Sequence, residues 1–116
     1  MLHTKEDDVN GYEKEVINDV ANLDNVEWWT RNVGKRSFYI NGFINHYPDF
    51  IIKTKRGKIV LLETKGDHLD AEKKIKIGNL WASKAGNDYR YFLVYKERIV
   101  DGTYTQSDFI DMIRNL

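Results

Sequence analysis

The chain has 116 residues, enough for one domain with one core, and it contains no cysteine, which excludes a disulfide scaffold and any thiolate-ligated zinc site. Its 18 basic and 18 acidic residues cancel, so no net charge advertises a polyanionic partner. The longest aliphatic stretch is Ile59–Leu62, far too short to cross a bilayer. The lack of cysteine also fits a cytoplasmic setting, and no secretory leader, glycine-rich phosphate loop or internal repeat is evident.

In chain order, residues 1–9 read as a flexible acidic arm, and residues 10–116 as a single domain. A helix is expected over about residues 10–23. Tyr12, Val16, Ile17, Val20 and Leu23 fall within a 140° arc at about 100° per residue. Glu13 lies inside that arc and Glu15 points nearly the opposite way, so the two glutamates cannot share a role. With Asn10 as N-cap, Glu13 is also placed to close a capping box. Strands are expected at Val26–Thr30 and at Ser37–Ile40, and the Asn41-Gly42 pair suggests a tight turn after them. Trp28 and Trp29 must then face opposite sides, and core packing is the simplest reading for both. Leu69–Ala85 reads as a helix and Tyr89–Tyr95 as a strand covered on both faces. Thr105-Gln106-Ser107-Asp108 opens a last helix ending near Asn115.

The centre of the chain is the most informative part. Phe50-Ile51-Ile52 and Ile59-Val60-Leu61-Leu62 are two short apolar runs joined by Lys55-Arg56-Gly57, which fits a three-residue hairpin loop with positive φ at Gly57. In that register Thr54 pairs with Lys58, and Asp49 sits across from Glu63. A two-residue loop would bring Asp49 opposite Thr64 instead. By strand alternation Glu63 and Lys65 project on one side, and Asp49 joins them. Like charges facing each other across a ladder are destabilising unless a cation lies between them. Burying such a cluster is costly, and metal-assisted phosphodiester hydrolysis is chemistry that these three groups suit.

The run Tyr47-Pro48-Asp49 followed by Glu63-Thr64-Lys65-Gly66 resembles the signature of the PD-(D/E)xK nuclease superfamily. The wording is most similar to the C-terminal endonuclease domain of type III restriction enzyme subunits. Val26–Asn32, Leu80-Trp81 and Tyr89–Tyr95 support the likeness, which spans about residues 11–96. The resemblance implies a restriction-endonuclease-like α/β fold, a mixed sheet flanked by helices in the order α-β-β-β-β-α-β-α. It also implies a Mg²⁺-dependent endonuclease acting on DNA, with Mn²⁺ able to substitute. Asp49 and Glu63 would ligate the metal. The Thr64 carbonyl is a further ligand by resemblance, as is Glu13, since many members add a first-helix glutamate. Lys65 would orient water, stabilise charge on the phosphate or act as a base. Family relatives act beside a helicase or other targeting segment, so the chain is either an excised domain or a small independent nuclease, with a homodimer as a further option. The Gln-x-x-x-Tyr element of exonuclease-like relatives is absent after the motif.

Charge is unevenly spread. Residues 31–84 hold twelve basic and five acidic groups, a net of +7, between segments of net −6 and −1. Lys53, Arg56, Lys73, Lys74 and Lys76 are the candidate DNA contacts, although a solvated surface explains such charges equally well. Weak, salt-sensitive and largely sequence-independent binding is expected. His46 and His68 flank the motif without a serine partner that would suggest a hydrolytic triad. Two rival readings remain. One is a nuclease-like fold kept only for DNA binding or assembly. The other is a metal-free domain in which Asp49 and Glu63 pair with Lys65 and with Arg31 or Arg36.

Overall fold

The computed structural model describes residues 11–32, 40, 48–65, 71–95 and 101–116, with Lys65 and Ala71 as backbone only. The expected arm, the 37–39 portion of the expected second strand, Asn41-Gly42, His46 and His68 lie outside these residues. The chain forms α1 (Gly11–Ala21), β1 (Val26–Arg31), β2 (Phe50–Thr54), β3 (Ile59–Lys65), α2 (Ala71–Ala85), β4 (Tyr89–Tyr95), β5 (Tyr104–Thr105) and α3 (Gln106–Arg114). The five strands make one mixed sheet in sequential order. β1–β2 and β2–β3 are antiparallel, whereas β3–β4 and β4–β5 are parallel.

The β2–β3 hairpin turns as its residues dictate. Gly57 adopts φ +88°, its N–H donates to the Thr54 carbonyl at 3.0 Å, and Thr54 N–H donates to the Lys58 carbonyl at 2.9 Å. Phe50 therefore faces Leu62, and Ile52 faces Val60, which is the three-residue-loop register.

Alternation then sorts the sheet into two faces. Phe50, Ile52, Val60, Leu62, Phe92 and Val94 bury against α1 and α3, meeting Val16, Val20, Phe109 and Ile113. On the other face Leu61, Tyr91, Leu93 and Tyr95 bury against Ile75 and Ile77 of α2. β4 contributes to both clusters, which is why its five terminal residues are all buried and its hydrophobic pattern does not alternate. Gly78 lets α2 approach closely, because a Cβ there would run into the Tyr91 ring.

Three features differ from the sequence expectation. The expected second strand is represented among the described residues only by an isolated bridge at Ile40, which packs in the α2-side cluster. A short β5, not anticipated, pairs with β4 directly before α3, so the described order is α-β-β-β-α-β-β-α. Two residues carry too little periodicity to announce a strand, and parallel pairing with β4 creates this one. Trp28 is 40% exposed instead of buried. It stands on the sheet's edge strand, whereas Trp29 turns inward and meets Phe50 edge-on at 5.9 Å.

α3 begins where Thr105 Oγ1 accepts from Asp108 N–H at 3.1 Å, the cap expected from the sequence. Among the described residues, no helix is long and apolar enough to cross a membrane.

Candidate active site

The acidic residues meet at the end of the sheet away from the hairpin turn, and the local geometry follows from where the β2 ladder stops. Regular pairing of β2 with β3 ends at Phe50 and Leu62. Beyond that point Thr64 N–H has lost its strand partner and needs an acceptor. Pro48 brings no N–H to extend the ladder, and the chain bends at Asp49. Asp49 Oδ2 fills the vacancy, accepting from Thr64 N–H at 2.8 Å and from Thr64 Oγ1 at 3.0 Å.

The bend itself is held from β1. Asn32 N–H donates to the Asp49 carbonyl at 2.8 Å, and Asn32 Nδ2 donates to the Pro48 carbonyl at 2.9 Å. Asn32 is buried at 7% exposure. It belongs to the stretch that carried the family likeness, but its clamping role rests on the proximity of the β1 and β2 ends, which no local pattern discloses.

Glu63 takes the α2 face. Leu61 packs against α2, and strand alternation sends Glu63 the same way. Its side chain is only 5% exposed, and Oε2 accepts from Lys74 Nζ of α2 at 3.0 Å. The pair is a buried, charge-assisted contact of the kind that matters energetically. Asp49 and Glu63 are therefore neighbours across the ends of β2 and β3, with the Asp49 carboxylate drawn onto Thr64 at the point where the ladder stops. Asp49 leans toward Thr64, whose side chain alternates to the α1 side.

Glu13 lies on that α1 side. It is half-buried in the first turn of α1, whereas Glu15 is exposed. Burial holds the Glu13 carboxyl above its usual pKa, the nearby Asp49 carboxylate raises it further, and Arg31 opposes both. Glu13 thus feels the Asp49 charge, and Arg31, at the end of β1, partly balances it. Arg31 Nε is buried without a hydrogen-bond partner among the described residues. Asn10, the cap proposed for α1, lies outside those residues.

Among the described residues, no three acids or histidines converge to hold a metal ion. A divalent ion here would rely on the two strand carboxylates, the Thr64 carbonyl and water, a donor set suited to an oxygen-seeking cation such as Mg²⁺. The Thr64 carbonyl points the right way. N–H and C=O of one strand residue face the same neighbour, and Thr64 N–H faces Asp49. Lys65 extends β3 two residues past Glu63 and pairs with Tyr95.

The candidate DNA contacts separate into two groups. Lys53 faces Ile59 near the hairpin turn, about 13 Å along the strand from Glu63, and forms a 3.4 Å ion pair with Glu27. Arg56 is exposed in the turn itself, farther still. Lys73 and Lys76 are exposed on the first half of α2, close to the acidic end. Lys74, by contrast, turns inward to Glu63, which the sequence alone did not reveal. Its orientation depends on how α2 is rotated against β4.

Comparisons of the chain with family models, with curated proteins and with solved structures return no match.

Proposed function

We propose that the chain is a metal-dependent deoxyribonuclease of the PD-(D/E)xK type, an endonuclease that hydrolyses DNA phosphodiester bonds with Mg²⁺. The observation that carries the reading is the arrangement at the ladder end. Asp49, held onto Thr64, stands beside Glu63, which is buried in the next position of β3. The mixed sheet with helices on both faces is compatible with the restriction-endonuclease-like fold.

Each residue has a task in this reading. Two hydrogen bonds from Thr64 and the Asn32 clamp fix Asp49 before substrate arrives, so that no ordering is needed at the moment of reaction. Glu63 sits in a poorly hydrated position where a cation is held more strongly than at the surface. When bound, a divalent ion neutralises phosphate charge and makes water nucleophilic. Lys65 supplies a positive charge as negative charge develops on the phosphate. Glu13 joins as an additional carboxylate on the α1 side. Lys73 and Lys76 give the duplex backbone a basic approach, and targeting falls to other segments or to a partner such as a helicase.

The Glu63–Lys74 pair also supports a second reading, a metal-free domain whose acids are neutralised internally. Lys65→Ala decides in favour of the enzyme if DNA binding persists while cleavage falls by about 10²–10³, the usual cost of removing one electrostatic catalytic group. Parallel loss of binding and cleavage would make Lys65 an ordinary phosphate contact. DNA binding by the parent without any cleavage would favour a binding or assembly module.

A further inference from the structure

We infer that Lys74 is a positioning residue which serves as the resident counter-ion of Glu63 and gives way when metal and DNA arrive together; this rests on the metal-site reading of Glu63. A carboxylate at 5% exposure stays ionised only with positive charge or hydrogen-bond donors beside it, and the structure provides Lys74 Nζ at 3.0 Å. Glu63 Oε2 is therefore already engaged by this chain's own ammonium, so the carboxylate that a divalent ion would need carries a resident positive charge. Ion and ammonium carry the same sign, so they repel across a shared carboxylate.

Lys74 has a place to go. Its side chain keeps 19% exposure on the first half of α2, where Lys73 and Lys76 already face solvent. A phosphate held at Glu63 would present oxygens to the same ammonium. Phosphate thus offers Lys74 a replacement for the contact that the ion removes. Without DNA the ion must displace Lys74 into water; with DNA the ammonium moves from one anion to another.

The consequence is linkage. DNA raises metal affinity, and metal raises DNA affinity by the same factor. Such coupling commonly amounts to about 5- to 150-fold. The arrangement keeps the isolated domain poorly loaded with metal and couples loading to the presence of a phosphate backbone.

The experiment measures Ca²⁺ binding, chosen for the same oxygen ligands as Mg²⁺, by titration calorimetry on the full chain with and without a short DNA duplex. In the parent, Ca²⁺ is expected to bind weakly alone and about 5- to 150-fold more tightly with DNA. Lys74→Met is expected to bind Ca²⁺ more tightly than the parent without DNA and to lose most of the DNA dependence. A residue that merely supported the fold would lower metal affinity or leave it unchanged. Lys74→Arg, which keeps the charge, is expected to behave as the parent and serves where Lys74→Met is too unstable to titrate, since a strengthened DNA-free affinity in Lys74→Arg also overturns the inference. Unaltered or weaker Ca²⁺ binding in Lys74→Met, beside a parent whose binding is abolished by Glu63→Gln, overturns the role of Lys74 and leaves the metal site intact. Absence of any Glu63-dependent Ca²⁺ binding in parent and variants, with or without DNA, overturns the metal-site reading and the inference with it.

Discussion

Replacing Asp49 separates its structural work from its proposed metal work. In Asp49→Ala both acceptor contacts to Thr64 disappear, leaving the N–H of a residue at 9% exposure without its partner. An unsatisfied buried donor costs about 1–3 kcal/mol. For a chain of 116 residues this corresponds to roughly 4 °C in Tm per kcal/mol, hence a fall of about 4–12 °C. Asp49→Asn keeps one acceptor oxygen and loses only the charge assistance, so a fall of about 4 °C is expected. Relief of the repulsion that Asp49 exerts on half-buried Glu13 offsets part of this, but less than a hydrogen bond at that exposure. Metal adds a second axis. At a hundredfold excess over Kd, an ion selective for the native state stabilises by about 2.7 kcal/mol, or roughly 10 °C. Thermal melts with and without Mn²⁺ should show that rise in the parent and in neither variant. Asp49→Ala melting with the parent would refute the Thr64 clamp, and a full metal-induced rise in Asp49→Asn would refute the metal role.

The two glutamates of α1 should part company. Glu13→Gln should impair cleavage, whereas exposed Glu15→Gln should leave it unchanged, as measured on the same DNA at matched folding. Because the folded Glu13 pKa lies above 4.5, native protein holds that proton more tightly than unfolded protein. Metal-free stability therefore drops as pH rises from 4.5 through the folded value, and Glu13→Gln should lack that drop in urea melts; an identical pH profile would contradict it. Tyr12, pushed up to about 12 first by burial and then by Glu15, contributes stability that is complete below pH 10 and lost as pH rises toward 12. Tyr12→Phe should flatten the alkaline limb of the same profile. Gly78→Ala should lower stability by about 1–2 kcal/mol despite the better helix propensity of alanine, because the added methyl meets the buried Tyr91 ring; a stabilised variant would show that α2 can shift freely.

How legible the molecule was in its sequence depended on the range of the forces involved. The hairpin register could be read because it is local. Gly57 alone tolerates the positive φ cheaply, which favours the three-residue loop over the two-residue alternative. The burial of α1 followed from the spacing of Tyr12, Val16, Ile17 and Val20. Asp49 departs from a flat ladder because pairing stops at Phe50, which frees its carboxylate to satisfy Thr64. A flat ladder also leaves Glu63 facing a like charge, since Lys65 is the one cation near it in sequence. Lys74 lies eleven residues on, and its inward turn is decided by the packing of Gly78 and Ile77 onto β4, a long-range event. Trp28 was misplaced for a similar reason. Its strand is at the edge of the described sheet, and a tryptophan there carries no local mark of its exposure.

The central claim is that the carboxylates at the end of β3 support DNA hydrolysis, and plasmid cleavage tests it most directly. Purified protein is incubated with supercoiled plasmid and Mg²⁺, without ATP, beside a chelated sample and a Glu63→Gln variant checked for folding. The parent should convert supercoiled DNA to nicked and linear forms, and both chelation and Glu63→Gln should abolish the conversion. Cleavage that survives chelation or the loss of Glu63, or no cleavage by the parent with Mg²⁺ or Mn²⁺, would contradict the assignment.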